Sequence, residues 1–479
     1  ITTIGSELRV TVDYKAARRQ VAEAFAFDAT LAVMHVPYDA QAGATRVQRT
    51  NISSFNEIFP CNFSLLDYLH AIAPPDMRVK LKPETEIMVA DVKYFHRLAE
   101  LLRLTPEKML LNVFRVLLIQ AAWIPADDNA DVDRRKQCVQ DTRKLMVSAA
   151  NAAYAKAHLS AEKKVTAHKI AQDVRQAIVE MVKEAEWLDT ETKMIALERL
   201  NMTKIEIGYQ DWTANTTLLD NYYKDLDLAE GDSYGRIKMM YQQWSIAKMF
   251  RRLSESNSTK EFLSMDTAYY DAVSRSVGIP AAVIEHSPFA HDNPSFLNYG
   301  NLGAVIGHEI MHVFASIRPG YLEELANGTM VMYKLWEASA SRNLLHRFEC
   351  FVQQYFSEWV PEVSMHLNGR KTLNENVADN AGLAAAFRAF QKTLSHDEFE
   401  QAIPGLDGLS HTQLFFLSYA QKLCVRDTLD SRRSYMTTSQ HTAYRYRANM
   451  ALRNQKEFSE AFQCPAGSPM NPEHKCHMW

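Results

Sequence analysis

No stretch of this chain reaches the roughly 18–20 uninterrupted apolar residues that a membrane-spanning helix needs. The best candidate, Met109 to Ile124, is interrupted by Asn112, Arg115 and Gln120 and reads as a buried amphipathic helix. Charge of one sign is also lacking: the net charge is −4 and the pI about 6.5, which gives no electrostatic footprint for a nucleic acid or an anionic membrane. The six cysteines, at 61, 138, 350, 424, 464 and 476, form no C-x-x-C pair, which argues against a cysteine zinc site. Gly300, Gly303 and Gly307 cluster, but no G-K-[ST] follows and the G-x-G-x-x-G spacing is absent. Close packing suits them better than a phosphate loop. No G-x-S-x-G or reactive-cysteine pattern supports a serine or cysteine hydrolase. The acidic stretch from Asp127 to Asp133 lacks the glycine at position 6 and the glutamate at position 12 of a calcium loop and reads as surface. There is no internal repeat and no low-complexity tract.

What remains is an ordinary globular composition, 47% hydrophobic and 23% charged, over 479 residues. That length suits two or three domains, or two lobes around a cleft. The chain starts at Ile1 with no initiator methionine, basic n-region or apolar h-region. The expectation is a removed signal or anchor, or a fragment of something longer. Six N-x-[ST] sequons, at Asn51, Asn62, Asn201, Asn215, Asn257 and Asn327, together with dispersed cysteines, favour a secreted protein or an ectodomain.

Apolar residues at three- and four-residue spacing predict helices over Tyr14–Val33, Val92–Leu102, Pro106–Ala122, Asp141–Ala157, Ala161–Glu186 and Tyr234–Leu253. Asp189 is placed to cap another, from Thr190 to about Asn201. The turn-rich stretch Tyr209–Asp232 looks like a connection. Ala268-Tyr269-Tyr270 and Val277–Ile284 look extended, and Pro280 suits the second to a sheet edge. Such an edge is either a place for a substrate backbone or an ordinary structural strand.

Residues 308–312 read His-Glu-Ile-Met-His. On a helix His308 and His312 lie one turn apart on the same face, so both imidazoles can aim at one metal ion with Glu309 beside them as a base. The alternative is a pair of satisfied core histidines. Downstream, Glu375 and Asp379 repeat the i, i+4 spacing among Val377, Ala378, Ala381 and Leu383. A solvated charged pair is a poor fit to those apolar neighbours. A second metal-site helix fits better, with Glu375 as third ligand and Asp379 accepting from a histidine ring. Two His and one Glu leave a coordination position open, as a catalytic zinc requires.

Here the chain resembles the neprilysin and endothelin-converting-enzyme family of zinc metallopeptidases. The likeness rests on Glu186-Trp187-Leu188-Asp189, Leu297-Asn298-Tyr299-Gly300, Val305 to Glu309, Glu375 to Asp379, Gln413 to Leu417, and the terminus from Cys464-Pro465 to Lys475-Cys476-His477-Met478-Trp479. It implies one zinc ion on His308, His312 and Glu375, Glu309 as general base, and Asp379 orienting the first histidine. It also implies that His441 steadies the transition state and that Arg447, six residues on, binds a substrate carbonyl. The family's substrate-gripping Asn-Ala-aromatic is Thr267-Ala268-Tyr269 here, and a Val-Trp pair near its pocket is Lys422-Leu423. By resemblance Cys350 pairs with Cys476, while Cys138, Cys424 and Cys464 lack their partners, so the chain is expected to be N-terminally incomplete relative to the family.

The resulting expectation is a mainly α, two-lobed metallopeptidase. Residues 1–235 would form a partial helical lid lobe with connecting segments. Residues 236–479 would form a thermolysin-like catalytic domain with a small β element. The implied function is zinc-dependent endopeptidase action on small extracellular peptides, at the amino side of hydrophobic residues, by a secreted protein or the ectodomain of a single-pass membrane protein. No nucleic-acid partner is expected. A rival from another class is a peptide-binding pseudoenzyme or scavenger with a retained zinc site.

Overall fold

A computed structural model describes residues 13–34, 48–89, 91–122, 130–253, 262–272, 274–315, 321–324, 330–333, 338–394, 405–406 and 408–479. The chain is mainly helical, with a few short strands. It divides into two compact units, each assembled from two segments: Ile1–Lys136 with Tyr223–Ser258, and Gln137–Tyr222 with Thr259–Trp479.

In the first unit, helices Tyr14–Met34, Val92–Leu104 and Glu107–Ala122 come together around Ala24, Phe27 and Val113. The stretch expected to be a buried amphipathic helix is therefore only half right. Helix Glu107–Ala122 buries Val113 and Asn112 but leaves Phe114 and Leu118 64% and 69% exposed. It packs through one face only. A second small core gathers Met77, Leu81 and Phe250, and Arg251 pairs with Asp76 and Asp225 over it.

The second unit holds the main core. Its site-building helices are α1 (Ala161–Glu184), α2 (Thr190–Met202), α3 (Ala304–Ala315), α4 (Leu373–Thr393), α5 (His411–Lys422) and α6 (Tyr444–Asn454). Ser160 Oγ caps α1 by accepting from Lys163 N, and Asp189 caps α2 as expected, accepting from Thr192 N at 2.8 Å. Helix α4 lies against α1, α3 and α6. Ile306, Ile310, Phe314, Val377, Leu383, Phe390 and Phe415 are all fully buried between these helices.

Three strands complete the frame: β1 (Lys204–Gly208), β2 (Tyr269–Asp271) and β3 (Ser276–Pro280). Here the structure corrects the sequence. Strand β3 is central, parallel to β1 and antiparallel to β2, and β1 and β2 are the two edges. Pro280 is tolerated because it is the last residue of β3. The chain then turns into helix Ala281–His286 rather than continuing extended to Ile284. Gly278 is needed where it stands, because a Cβ there would sit 2.3 Å from the Tyr269 ring across the ladder. The supposed connection Tyr209–Asp232 also contains helix Thr216–Tyr223, with Asn215 Oδ1 accepting from Leu218 N at its start. Its polar turn residues are caps. Of the acidic stretch near Asp127, residues 127–129 lie outside the described residues. No helix among the described residues is long and apolar enough to cross a membrane.

Candidate metal centre

Helix α3 begins immediately after a π-helical turn, Tyr299–Gly303, and its interior is apolar on nearly every side. It crosses α4 backbone to backbone. A Cβ on Gly307 would lie 2.5 Å from the Gly382 carbonyl oxygen, and one on Gly382 would lie 2.5 Å from His308 N. Two glycines facing each other let the helices approach closely enough for His308, next to one glycine, to reach Asp379, three residues before the other.

The side chains of the site converge. His308 Nε2 lies 3.1 Å from His312 Nε2 and 3.1 Å from Glu375 Oε2, and His312 Nε2 lies 3.5 Å from the same oxygen. His308 Nδ1 lies 2.8 Å from Asp379 Oδ1. A proton on Nδ1 is thereby donated to the carboxylate, so that the ring in its neutral, metal-binding form turns its Nε2 lone pair toward Glu375 and His312. Glu375 Oε2 is buried and has no hydrogen bond of good geometry, although ring nitrogens stand around it. Lone pairs aimed at one another across about 3 Å are poor hydrogen-bond partners and good ligands. Glu309, on α3 between the two histidines, is buried like His308, while His312 is half-buried. The ligand atoms of His308, Glu309 and His312 fall within 4.8 Å of one another, as do those of His308, Glu375 and His441. Two imidazoles and one carboxylate in this arrangement fit one zinc ion.

The charges are balanced around this cluster. Burial alone would raise the Asp379 carboxyl pKa, but Arg447 and His308 hold it well below the usual carboxylate range. Arg447 binds Asp379 with both prongs, Nε to Oδ2 at 2.7 Å and Nη2 to Oδ1 at 2.6 Å. Burial also works against a charged Glu375, and His308, His312 and His441 overcome it, keeping the carboxylate ionised. For His308 burial disfavours the cation, yet Asp379 and Glu375 pull its pKa up to about 9.

His441 stands with its Nε2 3.0 Å from Glu375 Oε2, its ring nearly parallel to that of His308. The adjacent Thr442 donates to Asn376 Oδ1 at 2.7 Å, and Asn376 is fully buried next to Glu375. This link pins the loop carrying His441 to the helix carrying Glu375. Neither Asn376 nor Thr442 stood out in the sequence as a functional residue, because a contact across 66 positions leaves no local pattern. Thr267 is not drawn into the cluster. Its hydroxyl faces Asp266 and its amide donates to Ser264 Oγ. It and Ala268 lead into the edge strand β2, which packs on α3.

Lys422, the last residue of α5, is exposed. Even so, burial followed by Arg447 lowers its ammonium pKa to about 8, with Asp379 and Glu309 opposing them. Among the described residues Cys350 and Cys476 form a disulfide, whereas Cys61, Cys138, Cys424 and Cys464 are free.

Family models described as "Peptidase family M13" match residues 2–210 and 267–478. Neprilysin-1 of Caenorhabditis elegans is 31% identical over 420 residues, which are 83% of this chain and 55% of that protein. Endothelin-converting enzyme 1 of Homo sapiens is 29% identical over 98% of this chain and 62% of its own length. The chain thus spans between half and two thirds of these relatives. Among solved structures, zinc metalloprotease Zmp1 of Mycobacterium tuberculosis, in complex with an inhibitor, superposes with a TM-score of 0.75 at 20% identity, covering 97% of this chain and 71% of that one. PepO from Lactobacillus rhamnosis gives 0.77 at 18% identity, over 96% and 71%. These two share the fold.

Proposed function

The chain belongs to peptidase family M13, and from that premise we propose that it carries the catalytic machinery of a zinc endopeptidase acting on small extracellular peptides, on the amino side of hydrophobic residues. The observation that supports this most is the convergence of His308, His312 and Glu375 donor atoms beside Glu309. The chemistry a bound zinc ion supplies is Lewis acidity, polarising a carbonyl and bringing the pKa of water toward about 7.

The chain's own residues do the rest. Asp379 keeps the His308 ring in one tautomer, and Arg447 keeps Asp379 ionised and in place. Glu309 accepts the proton of the attacking water and delivers it to the leaving amine. His441 donates to the oxyanion that develops at the scissile carbonyl. Arg447 spends Nε and Nη2 on Asp379, leaving Nη1 to reach a substrate carbonyl. Strand β2, with Thr267 and Ala268 leading into it, is an outer strand of its sheet, the position at which an extended peptide adds to a ladder. In this reading the domain that performs the chemistry is the unit containing α1 to α6, and the helices of the other unit belong to the lid lobe.

The test is zinc analysis with peptide-library cleavage, with and without a chelator. Glu309→Gln should retain zinc and lose about 10²–10⁴-fold in kcat/KM. Unchanged turnover would remove Glu309 from the chemistry. The pseudoenzyme reading has one observation in its favour, the Thr267 hydroxyl turned toward Asp266. It predicts bound peptide and no cleavage by the full-length wild type. Preference is tested at Lys422. Its ammonium, near enough to feel the charges of Arg447, Asp379 and Glu309, should admit acidic residues beside hydrophobic ones, so Lys422→Val should lower cleavage of acidic peptides about tenfold, one lost ionic contact of about 1.4 kcal/mol, and spare Phe and Leu peptides. Equal losses on both classes would place the ammonium outside the pocket.

A further inference from the structure

Four of the six sequons fall on described residues, and their asparagines differ. Asn51 is half-buried and its Oδ1 accepts from Ser53 Oγ and Ser54 N, both at 2.8 Å. Asn215 Oδ1 is occupied in capping Leu218 N. Asn62 is exposed at a bend. Asn201 is different, because it is exposed in the last turn of α2 and also lines a groove of about 640 Å³ between α1 and α2. Half-buried Val179 and Leu197 form the apolar lining, and exposed Gln172, Gln176 and Glu198 supply polar groups. Arg175 borders the groove beside Asn201, donating Nη2 to the Leu200 carbonyl at 2.7 Å and the Asn201 carbonyl at 3.0 Å. The same Nη2 stands 3.5 Å from Asn201 Oδ1, and Asn201 Nδ2 has no hydrogen-bond partner among the described residues.

We propose that Asn201 carries an N-linked glycan whose first sugar, an N-acetylhexosamine, seats in this groove. A pyranose has one face of C–H groups and a rim of hydroxyls, with an acetamide on the same ring. The groove offers aliphatic side chains for the first, amides and a carboxylate for the second, and a guanidinium at the point of attachment. In the transfer, a bond forms between sugar C1 and Nδ2. The C1–O bond to the diphosphate of a lipid-linked oligosaccharide donor breaks, the lipid diphosphate departs, and the amide nitrogen gives up one proton. The Thr203 hydroxyl that completes the sequon is 3% exposed and bonded to the Arg199 carbonyl. The transferring enzyme therefore meets it before α2 docks, and the sugar is present as the groove forms. The Cys350–Cys476 disulfide is independent support, since it marks the same oxidising route.

The experiment uses the protein secreted from a eukaryotic host in four forms: fully glycosylated, trimmed after folding to a single sugar, stripped after folding by an amidase, and Asn201→Gln. Glycopeptide mass spectrometry should find Asn201 modified. Hydrogen exchange in the last turn of α2 and along residues 172–183 should be several-fold slower in the first two forms than in the last two. The stripped form guards against a folding defect in the variant. An unmodified Asn201 overturns the site. A modified Asn201 with equal exchange in all four forms overturns the seating. Peptide hydrolysis is expected to be the same throughout, so neither failure bears on the peptidase reading.

Discussion

Helices Tyr14–Met34 and α4 are both 21 residues long, and the first is the richer in apolar side chains. Yet only Ala24 and Phe27 are buried in the first, whereas α4 buries nearly every position from Asn376 to Phe390. Composition does not decide burial; neighbours do. Helix α4 has α1, α3 and α6 against it, and, Glu375 Oε2 in the metal cluster apart, the polar side chains it hides find partners. Asp379 meets His308 and Arg447, Asn376 meets Thr372 and Thr442, and Asn380 meets Tyr355 and Asn454. Burying such groups costs stability unless each finds a partner. A helix that hides this much polarity is organised around a site, and a helix that hides two residues is organised around a neighbour.

The sharpest way to break the contrast is to unmatch one group. Asp379→Asn leaves the Arg447 guanidinium buried without its carboxylate, and the new amide cannot accept from both prongs. Loss of about 3–5 kcal/mol of stability is expected in chelated protein, where metal plays no part. Zinc affinity should fall about 10–100-fold besides, because the His308 ring loses its orienting acceptor. Urea unfolding of chelated wild type and variant, with zinc titration of both, separates the two effects. Chelated stabilities that coincide would mean that the ion pair serves the metal alone.

A smaller effect probes the crossing itself. Gly382→Ala adds a methyl group at 2.5 Å from the His308 backbone nitrogen, where only backbone can yield. Alanine is the better helix former by about 0.5–1 kcal/mol, so the net loss is expected to be about 1–3 kcal/mol from overpacking. Parting the helices should also weaken zinc binding. A variant as stable as wild type, with unchanged zinc affinity, would show that the two helices can separate without moving the ligands.

Much of this site was legible beforehand, for physical reasons. His308 with His312, and Glu375 with Asp379, repeat at one helical turn, and that spacing survives any tertiary arrangement. The glycines before the motif signalled close packing, but Gly382 as the partner of Gly307 did not, since a crossing point depends on both helices. The same limit hid Arg447 on Asp379 from residue chemistry and Thr442 on Asn376 from every local pattern. Strand β3 was misread because proline at a strand's last residue looks like proline at an edge. Helix Thr216–Tyr223 was missed because its cap, Asn215, is a turn residue as well.

The smallest effect belongs to the other half of the comparison. Leu111, Phe114 and Leu118 recur at three- and four-residue spacing along helix Glu107–Ala122, and all three are exposed. Because Leu118 keeps 69% of its surface in water when folded, little transfer free energy is at stake. Leu118→Ser should therefore change unfolding stability by no more than about 0.5 kcal/mol, an order of magnitude less than the buried substitution on α4. The measurement is best made at two protein concentrations. A larger loss that grows with concentration would mean that this face is covered in solution by a second copy. A larger loss at both concentrations would mean that the helix is stabilised by something within its own chain, and the contrast between the two helices would narrow accordingly.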